Sequence, residues 1–174
     1  MTSSSGTPDS NTRNAEQALS HVNSHGVFHM VDVGSKPETD RVALASGAIS
    51  MKLATLSAIR DNALKKGDVI PVARIAGIQA AKRTADLIPL CHPLPLSDIQ
   101  VRVSVDESLP GLRVEGTVRT TARTGVEMEA LTAVAVSLLT IYDMAKAIDR
   151  TMVISEIVLR EKRGGTSGDF IADP

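Results

Sequence analysis

The chain has 174 residues, 43% of them hydrophobic, which suits one domain with a real core and a tail. A net charge of −1 excludes a general attraction to nucleic acid or an anionic membrane. The single cysteine, Cys91, excludes an intrachain disulfide and a cysteine-based zinc site, and it fits a reducing cytosol.

Residues 1–20 are rich in Ser, Thr, Asn and Gly and lack the apolar run of a signal peptide, so they read as a disordered tail. In HVNSHGVFHMVDVG (21–34), Val27, His29, Val31 and Val33 alternate over a short extended piece. RVALASGAISM (41–51) alternates Val42, Leu44 and Ser46 against Ala43 and Ala45 and reads as a strand. Residues 52–67 place Leu53, Leu56, Ile59 and Leu64 at helical spacing, with Gly67 as the stop. Asp68 is a plausible N-cap for a second helix over 68–85, with Pro71 tolerated in its first turn. In DLIPLCHPLPLSDI (86–99), Pro89, Pro93 and Pro95 remove donors and favour extended neighbours, giving a stiff non-helical connection. Residues 98–107 and 112–122 alternate strictly around a Leu109-Pro110-Gly111 turn and read as a hairpin.

A long helix is expected over about 125–150, followed by a strand over 152–162 and a glycine-rich tail. Thr124 and Glu127 have capping-box spacing at its start. The order β-α-α-β-β-α-β predicts a ferredoxin-like α/β (α+β) fold, an antiparallel sheet with helices packed on one face. The domain is expected over 21–163, with tails over 1–20 and 164–174. Residues 130–148 are apolar nearly all round, more than one small sheet can cover, which predicts a homo-oligomer. The uncharged run 130–142 falls short of the ~20 residues of a membrane span, so the expected protein is soluble and cytoplasmic.

Within that helix Asp143 and Lys146 stand at i,i+3 on one face. They are either a surface ion pair or a functional pair, since a charge in an apolar helix is costly unless paired or used. Glu127 and Glu129 flank Met128, and capping is a sufficient job for Glu127. Lys65 with Lys66, and Lys82 with Arg83, follow helix ends, where cations complement the dipole and would also suit a phosphorylated ligand. His21, His25 and His29 recur every four residues, but Asn23, Ser24 and Gly26 intervene and no carboxylate completes a set, which argues against a metal site. Cys91 and His92 are adjacent in extended chain and point to opposite sides, so they make a poor nucleophilic pair. His92 is the better candidate for ligand contact. KRGGTSGD resembles a phosphate nest in composition but lacks the ending and context of a P-loop.

Several strings carry a resemblance: ARIAGIQAAKRTADLIPLCHPLPLS (73–97), TGVEMEALTAVAVSLLTIYDMAKA (124–147), KGDV (66–69), MVDVGSKPETDR (30–41) and GGTSGDF. Together, over about residues 21–170, they resemble the cyclic pyranopterin monophosphate synthase family, protein C of molybdenum cofactor biosynthesis. The resemblance implies a ferredoxin-like fold and a hexamer, a trimer of dimers with its active site at a dimer interface. It implies a small-molecule substrate, 3′,8-cyclo-7,8-dihydro-GTP, supplied by a radical enzyme acting on GTP. The products would be cyclic pyranopterin monophosphate and pyrophosphate. It assigns catalysis to Asp143, Lys146 and Lys66. Substrate contact falls to Leu90, Cys91, His92, Glu127, Met128, Glu129, Lys82 and Arg41. No cofactor is required by such proton transfers, although Mg²⁺ could assist through the substrate phosphates. The departures are local: Lys65 stands where some members have histidine, and Ala145 where cysteine is frequent. The competing class is a non-catalytic oligomeric nucleotide sensor. RNA reading through the sheet is disfavoured, because the expected strands carry no aromatic residue for stacking.

Overall fold

Alternation in the first strand sets small side chains on one face of the sheet, and that face receives the longest helix. The computed structural model describes residues 26–166 and 168–172. The chain divides into two units, residues 1–31 and residues 32–174. In the first unit the described residues 26–30 are exposed and Val31 is half-buried. The tail expected over 1–20, and His21 and His25 of the histidine series, lie outside the described residues, while His29 belongs to this first unit.

The second unit runs β1 (Thr39–Ser50), α1 (Leu53–Arg60), α2 (Val69–Ala81), α3 (Thr84–Leu87), β2 (Leu96–Asp106), β3 (Gly111–Ala122), α4 (Glu127–Ala145), β4 (Val153–Arg163) and β5 (Phe170–Ile171). The strands form one sheet in the order β2-β3-β1-β4-β5, with every neighbouring pair antiparallel. The first four strands therefore have the ferredoxin-like split arrangement. The glycine-rich end is more than a tail, since Phe170 and Ile171 pair with Lys162 and Glu161 of β4.

On β1, Ala43, Ala45, Gly47 and Ile49 face α4 and are buried, while Val42, Leu44 and Ser46 on the other face are only partly covered. The small residues let the helix sit close. A Cβ on Gly47 would meet Leu138 Cδ1 at 2.7 Å and Val134 Cγ1 at 2.9 Å. Facing it, α4 presents Ala130, Ala133, Val134, Leu138 and Ile141, all fully buried. α2 packs beside α4 by the same device: a Cβ on Gly77 would meet Ser137 Oγ at 2.2 Å and the Ala133 carbonyl at 2.8 Å. The Ser137 hydroxyl donates to the Ala73 carbonyl at 3.0 Å across that contact.

Asp68 caps α2 as its sequence suggests, its carboxylate accepting from Ile70 N at 3.3 Å. Four expectations are corrected. α1 stops at Arg60, not near Gly67, because Asn62 takes a left-handed φ of 51°. Asn62 N then donates to Ile59 O at 3.1 Å and Ala63 N to Ala58 O at 2.9 Å, the two bonds of a Schellman stop. The capping box does not form: α4 begins at Glu127 with Val126 as N-cap and no side-chain cap bond. The same helix ends at Ala145 rather than near Arg150; exposed Leu139 is apolar surface left over, as expected of a helix that one small sheet cannot cover. Finally, Asp86 and Leu87 are helical, in the single turn of α3; the stiff connection starts after them, with a turn closed by Cys91 N donating to Ile88 O at 3.1 Å.

Gly77→Ala tests the close packing of the helices. Alanine favours a helix by about 1 kcal/mol over glycine, but the Ala133 carbonyl is fixed backbone and must be pushed away. A net loss of about 1–3 kcal/mol is expected in urea unfolding; an unchanged midpoint would mean that the helices can separate freely.

Candidate functional site

Three charged groups meet at the C-terminal end of α4. Lys146 occupies the C-cap position, and its Nζ lies 2.7 Å from Asp143 Oδ1. Lys66 arrives from the loop between α1 and α2, where Gly67 takes a φ of +92°. Its Nζ donates to Asp143 Oδ2 and to the Asp143 carbonyl, both at 2.8 Å. That carbonyl is among the last four of the helix, which have no partner within it, so Lys66 also caps α4. Lys146 first and Lys66 second hold the Asp143 carboxyl down to about 2. The array is thus one carboxylate, ionised across neutral pH, bridging two ammonium groups. Its side chains are 48%, 55% and 52% exposed for Lys66, Asp143 and Lys146. A cavity of about 340 Å³ adjoins it, lined by Leu64, Lys65, Lys66, Met144 and Ile148 among others.

A second cluster gathers at the opposite end of α4. Glu129, in the first turn of the helix, is 4% exposed. Burial, with some repulsion from Glu127, pushes its carboxyl up to about 7. It lines a small cleft of about 120 Å³ with Lys82, Arg83, Thr84, His92 and Leu94. Burial, and secondarily Glu129, pushes the Cys91 thiol up, which keeps it protonated and removes it as a nucleophile. Leu90 and Glu127 are half-buried beside this end, and Met128 is exposed.

Arg41 lies at the start of β1, opposite Thr120 of β3, whose hydroxyl donates to the Pro95 carbonyl at 2.6 Å. Arg41 is 9% exposed and donates from Nη1 to Gly164 O at 3.3 Å. Its Nε is buried and has no hydrogen-bond partner among the described residues. Gly165, at φ +87°, wraps the guanidinium so closely that a Cβ there would lie 1.6 Å from Nη1.

The predicted residues therefore fall into two groups, with Arg41 apart from both at the start of β1, opposite the end of the strand that leads into α4. Lys66, Asp143 and Lys146 come together at one end. Lys82, Cys91, His92, Glu127, Met128 and Glu129, with their neighbour Leu90, stand at the other. Glu129 and Asp143 are 14 positions apart on α4, about 21 Å at 1.5 Å per residue. Two features that the sequence left open between a structural and a ligand-binding role take a place here. Arg83, noted beside Lys82 at a helix end, lines the cleft, and Gly164-Gly165 of the KRGGTSGD string shapes the setting of Arg41.

A family model described as the MoaC family matches residues 30–165. The chain belongs to the MoaC family. Both clusters lie inside the matched span. A curated relative, the cyclic pyranopterin monophosphate synthase of Brucella ovis, is 59% identical over 157 residues, covering 90% of this chain and 95% of the relative.

The two carboxyls should leave opposite marks on stability. Glu129 binds its proton more tightly in the folded state, so stability is greatest below its ordinary value of 4.5 and declines as pH rises to about 7. Asp143 has a lowered value, so its contribution is present above 3.8 and is lost as pH falls to about 2. Unfolding free energies measured from pH 4 to 8 should slope downward above pH 4.5 in the wild type, and Glu129→Gln should flatten that slope. Equal slopes in the two proteins would place the tightly held proton on another group.

Proposed function

We propose that this chain converts 3′,8-cyclo-7,8-dihydro-GTP to cyclic pyranopterin monophosphate and pyrophosphate, acting as a lyase in molybdenum cofactor biosynthesis. The observation that carries this reading is the Lys66–Asp143–Lys146 array, built in a chain that is 59% identical over 90% of its length to a synthase of that name. The reaction opens the modified guanine, rebuilds it as a pyranopterin and closes a cyclic phosphate. Those steps move protons and expel pyrophosphate. They call for positioned acids and bases rather than a sulfur nucleophile.

In this reading Lys66 and Lys146 exchange protons with the rearranging heterocycle, and Asp143 holds both ammonium groups in place. Arg41 and Lys82 bind the triphosphate by charge-assisted hydrogen bonds. The buried Nε of Arg41 supports this, because a guanidinium N–H shielded from water needs an acceptor. Leu90, Cys91, His92, Glu127, Met128 and Glu129 contact the pterin precursor, and the proline-braced strip around His92 lowers the ordering cost of binding. A Glu129 carboxyl near 7 can hold or give a proton at working pH. No cofactor is required, and Mg²⁺ would enter only with the phosphates of the substrate.

A span of about 21 Å between the clusters is too long for one heterocycle to touch both. We infer that each site joins the Glu129 end of one copy to the Lys66–Asp143–Lys146 end of another. Exposed Val72, Ile75 and Leu139 on the outer side of the helical layer supply apolar surface for such assembly. This agrees with a hexamer built as a trimer of dimers. The substrate would come from a radical enzyme acting on GTP, and the setting would be the cytoplasm.

Purified protein should release pyrophosphate from 3′,8-cyclo-7,8-dihydro-GTP and yield a product that becomes a fluorescent pterin on oxidation. Folded Lys66→Ala and Asp143→Asn variants should each lose at least about a hundredfold in turnover. Binding without turnover in the wild type would favour the nucleotide-sensor reading instead. A second experiment addresses the shared site. Lys146→Ala and Arg41→Ala chains, each retaining only a small residual activity alone, are co-expressed and purified as mixed oligomers. Random pairing restores one intact site in each mixed dimer, so about a quarter of wild-type activity should return; no recovery would mean that each chain builds its own site.

A further inference from the structure

Beyond the array itself, one buried acid has no part in the chemistry above. Asp149 is 1% exposed and follows α4 by a single turn, with its amide donating to Ala145 O at 3.1 Å. Its two oxygens serve two different segments. Oδ2 accepts from the backbone N–H of Lys52 at 2.9 Å and from the Thr55 hydroxyl at 3.2 Å. Oδ1 accepts from Thr151 N at 3.0 Å and from the Thr151 hydroxyl at 2.7 Å. Lys52 Nζ stands 3.8 Å from Oδ1 but is 63% exposed, so it adds little.

Lys52 is the N-cap residue of α1 and makes no side-chain cap of its own. Asp149 supplies that cap from 97 residues away. The first turn of α1 is thereby fastened to the turn that follows Lys146. The far end of α1 leads directly into the loop that carries Lys66. One carboxylate thus ties together the two chain segments that deliver the two lysines to Asp143. The Lys52 N–H, first among the donors, holds this carboxyl well below the usual carboxylate range, so it accepts at all four contacts throughout neutral pH.

We propose that Asp149 is a positioning residue for the Lys66–Asp143–Lys146 array, setting the separation of the two ammonium groups through its bridge between the end of α4 and the start of α1. This inference rests on the synthase reading given above. Asparagine has nearly the same shape, but its amide NH₂ must face either the Lys52 N–H side or the Thr151 N–H side, donor against donor. One leg of the bridge then opens.

The test is steady-state turnover of 3′,8-cyclo-7,8-dihydro-GTP by the full-length protein. Asp149→Asn should lower kcat about ten- to a hundredfold while KM changes less than about threefold, because the groups proposed to bind substrate stand at the other end of α4. In a Lys146→Ala background the same substitution should add less than about a twofold loss, since the array is already broken. Ser137→Ala is the stability control. It removes the buried bond to Ala73 in mid-helix, and should lower the unfolding midpoint with kcat unchanged. If Asp149→Asn fails to fold, Thr55→Val removes one hydroxyl contact on the α1 side at nearly constant shape, and a several-fold fall in kcat is expected. Unchanged kcat in the folded variant beside an active wild type would overturn this inference alone. So would a full additive loss in the Lys146→Ala background. An inactive wild type would overturn the synthase reading and this inference with it.

Discussion

The close seating of α4 on small residues is the constraint on which the rest of the molecule depends. Ala43, Ala45 and Gly47 of β1 and Gly116 of β3 form the strip beneath the helix. A Cβ at Gly116 would lie 3.1 Å from the Ala130 carbonyl and from Val134 Cγ2. With so little room the helix cannot shift along or across the sheet without collisions, and close-packed interiors transmit such strain. Aromatic side chains are nearly absent from the chain, so the core is made of aliphatic residues and relies on close approach rather than on bulk. Fixing α4 fixes both clusters, because one helix carries Glu127, Met128 and Glu129 at one end and Asp143 at the other, with Lys146 just beyond.

Helix polarity does not decide the charge states at these ends. The dipole favours an anion at the N-terminus and disfavours one at the C-terminus, by about 0.3–1 kcal/mol. That is less than one pKa unit. Glu129 sits where the dipole would ionise it, yet burial takes its carboxyl up to about 7. Asp143 sits where the dipole opposes an anion, yet two ammonium groups at 2.7 and 2.8 Å bring it down to about 2. Local desolvation and local pairing each outweigh the helix. Two carboxyls on one helix are separated by environment into a proton holder and a fixed charge, the division that acid–base catalysis uses.

How far this was legible in sequence depended on range. Strand alternation, the hairpin and the Asp68 cap are set by near neighbours, and the structure has them. The Thr124–Glu127 spacing was also local, but the chain enters α4 through buried Val126, and tertiary packing replaced the cap. Leu64 kept the helical rhythm beyond the true end of α1, because it packs against the core from a loop. Asn62 was the overlooked stop signal. In the site, i,i+3 spacing paired Asp143 with Lys146, but no spacing rule could bring Lys66 to a residue 77 positions away. That pairing was reachable only through family resemblance. Asp149 escaped both routes, since its role as a cap for α1 spans 97 positions and no local pattern marks it.

The two ends of α4 also differ in what solvent allows them to do. The lysine array is about half exposed in a single chain, and ion pairs open to water contribute little beyond position. A proton moves between such groups and a substrate efficiently only once water is displaced, because electrostatic interactions strengthen as the local dielectric falls. The opposite end has the reverse character. It offers a buried carboxyl, a buried arginine N–H and a cleft of about 120 Å³, smaller than the roughly 300 Å³ of ordinary ligand pockets. In the proposed reaction each end would have what the other needs: proton-exchanging groups at one, a shielded wall for the substrate phosphates at the other. A rigid helix holds them about 21 Å apart, so no motion within the chain short of unfolding brings them together. Docking one copy's array against another copy's wall would desolvate the lysines and enlarge the cleft in a single step, which makes assembly part of the proposed chemistry rather than an addition to it.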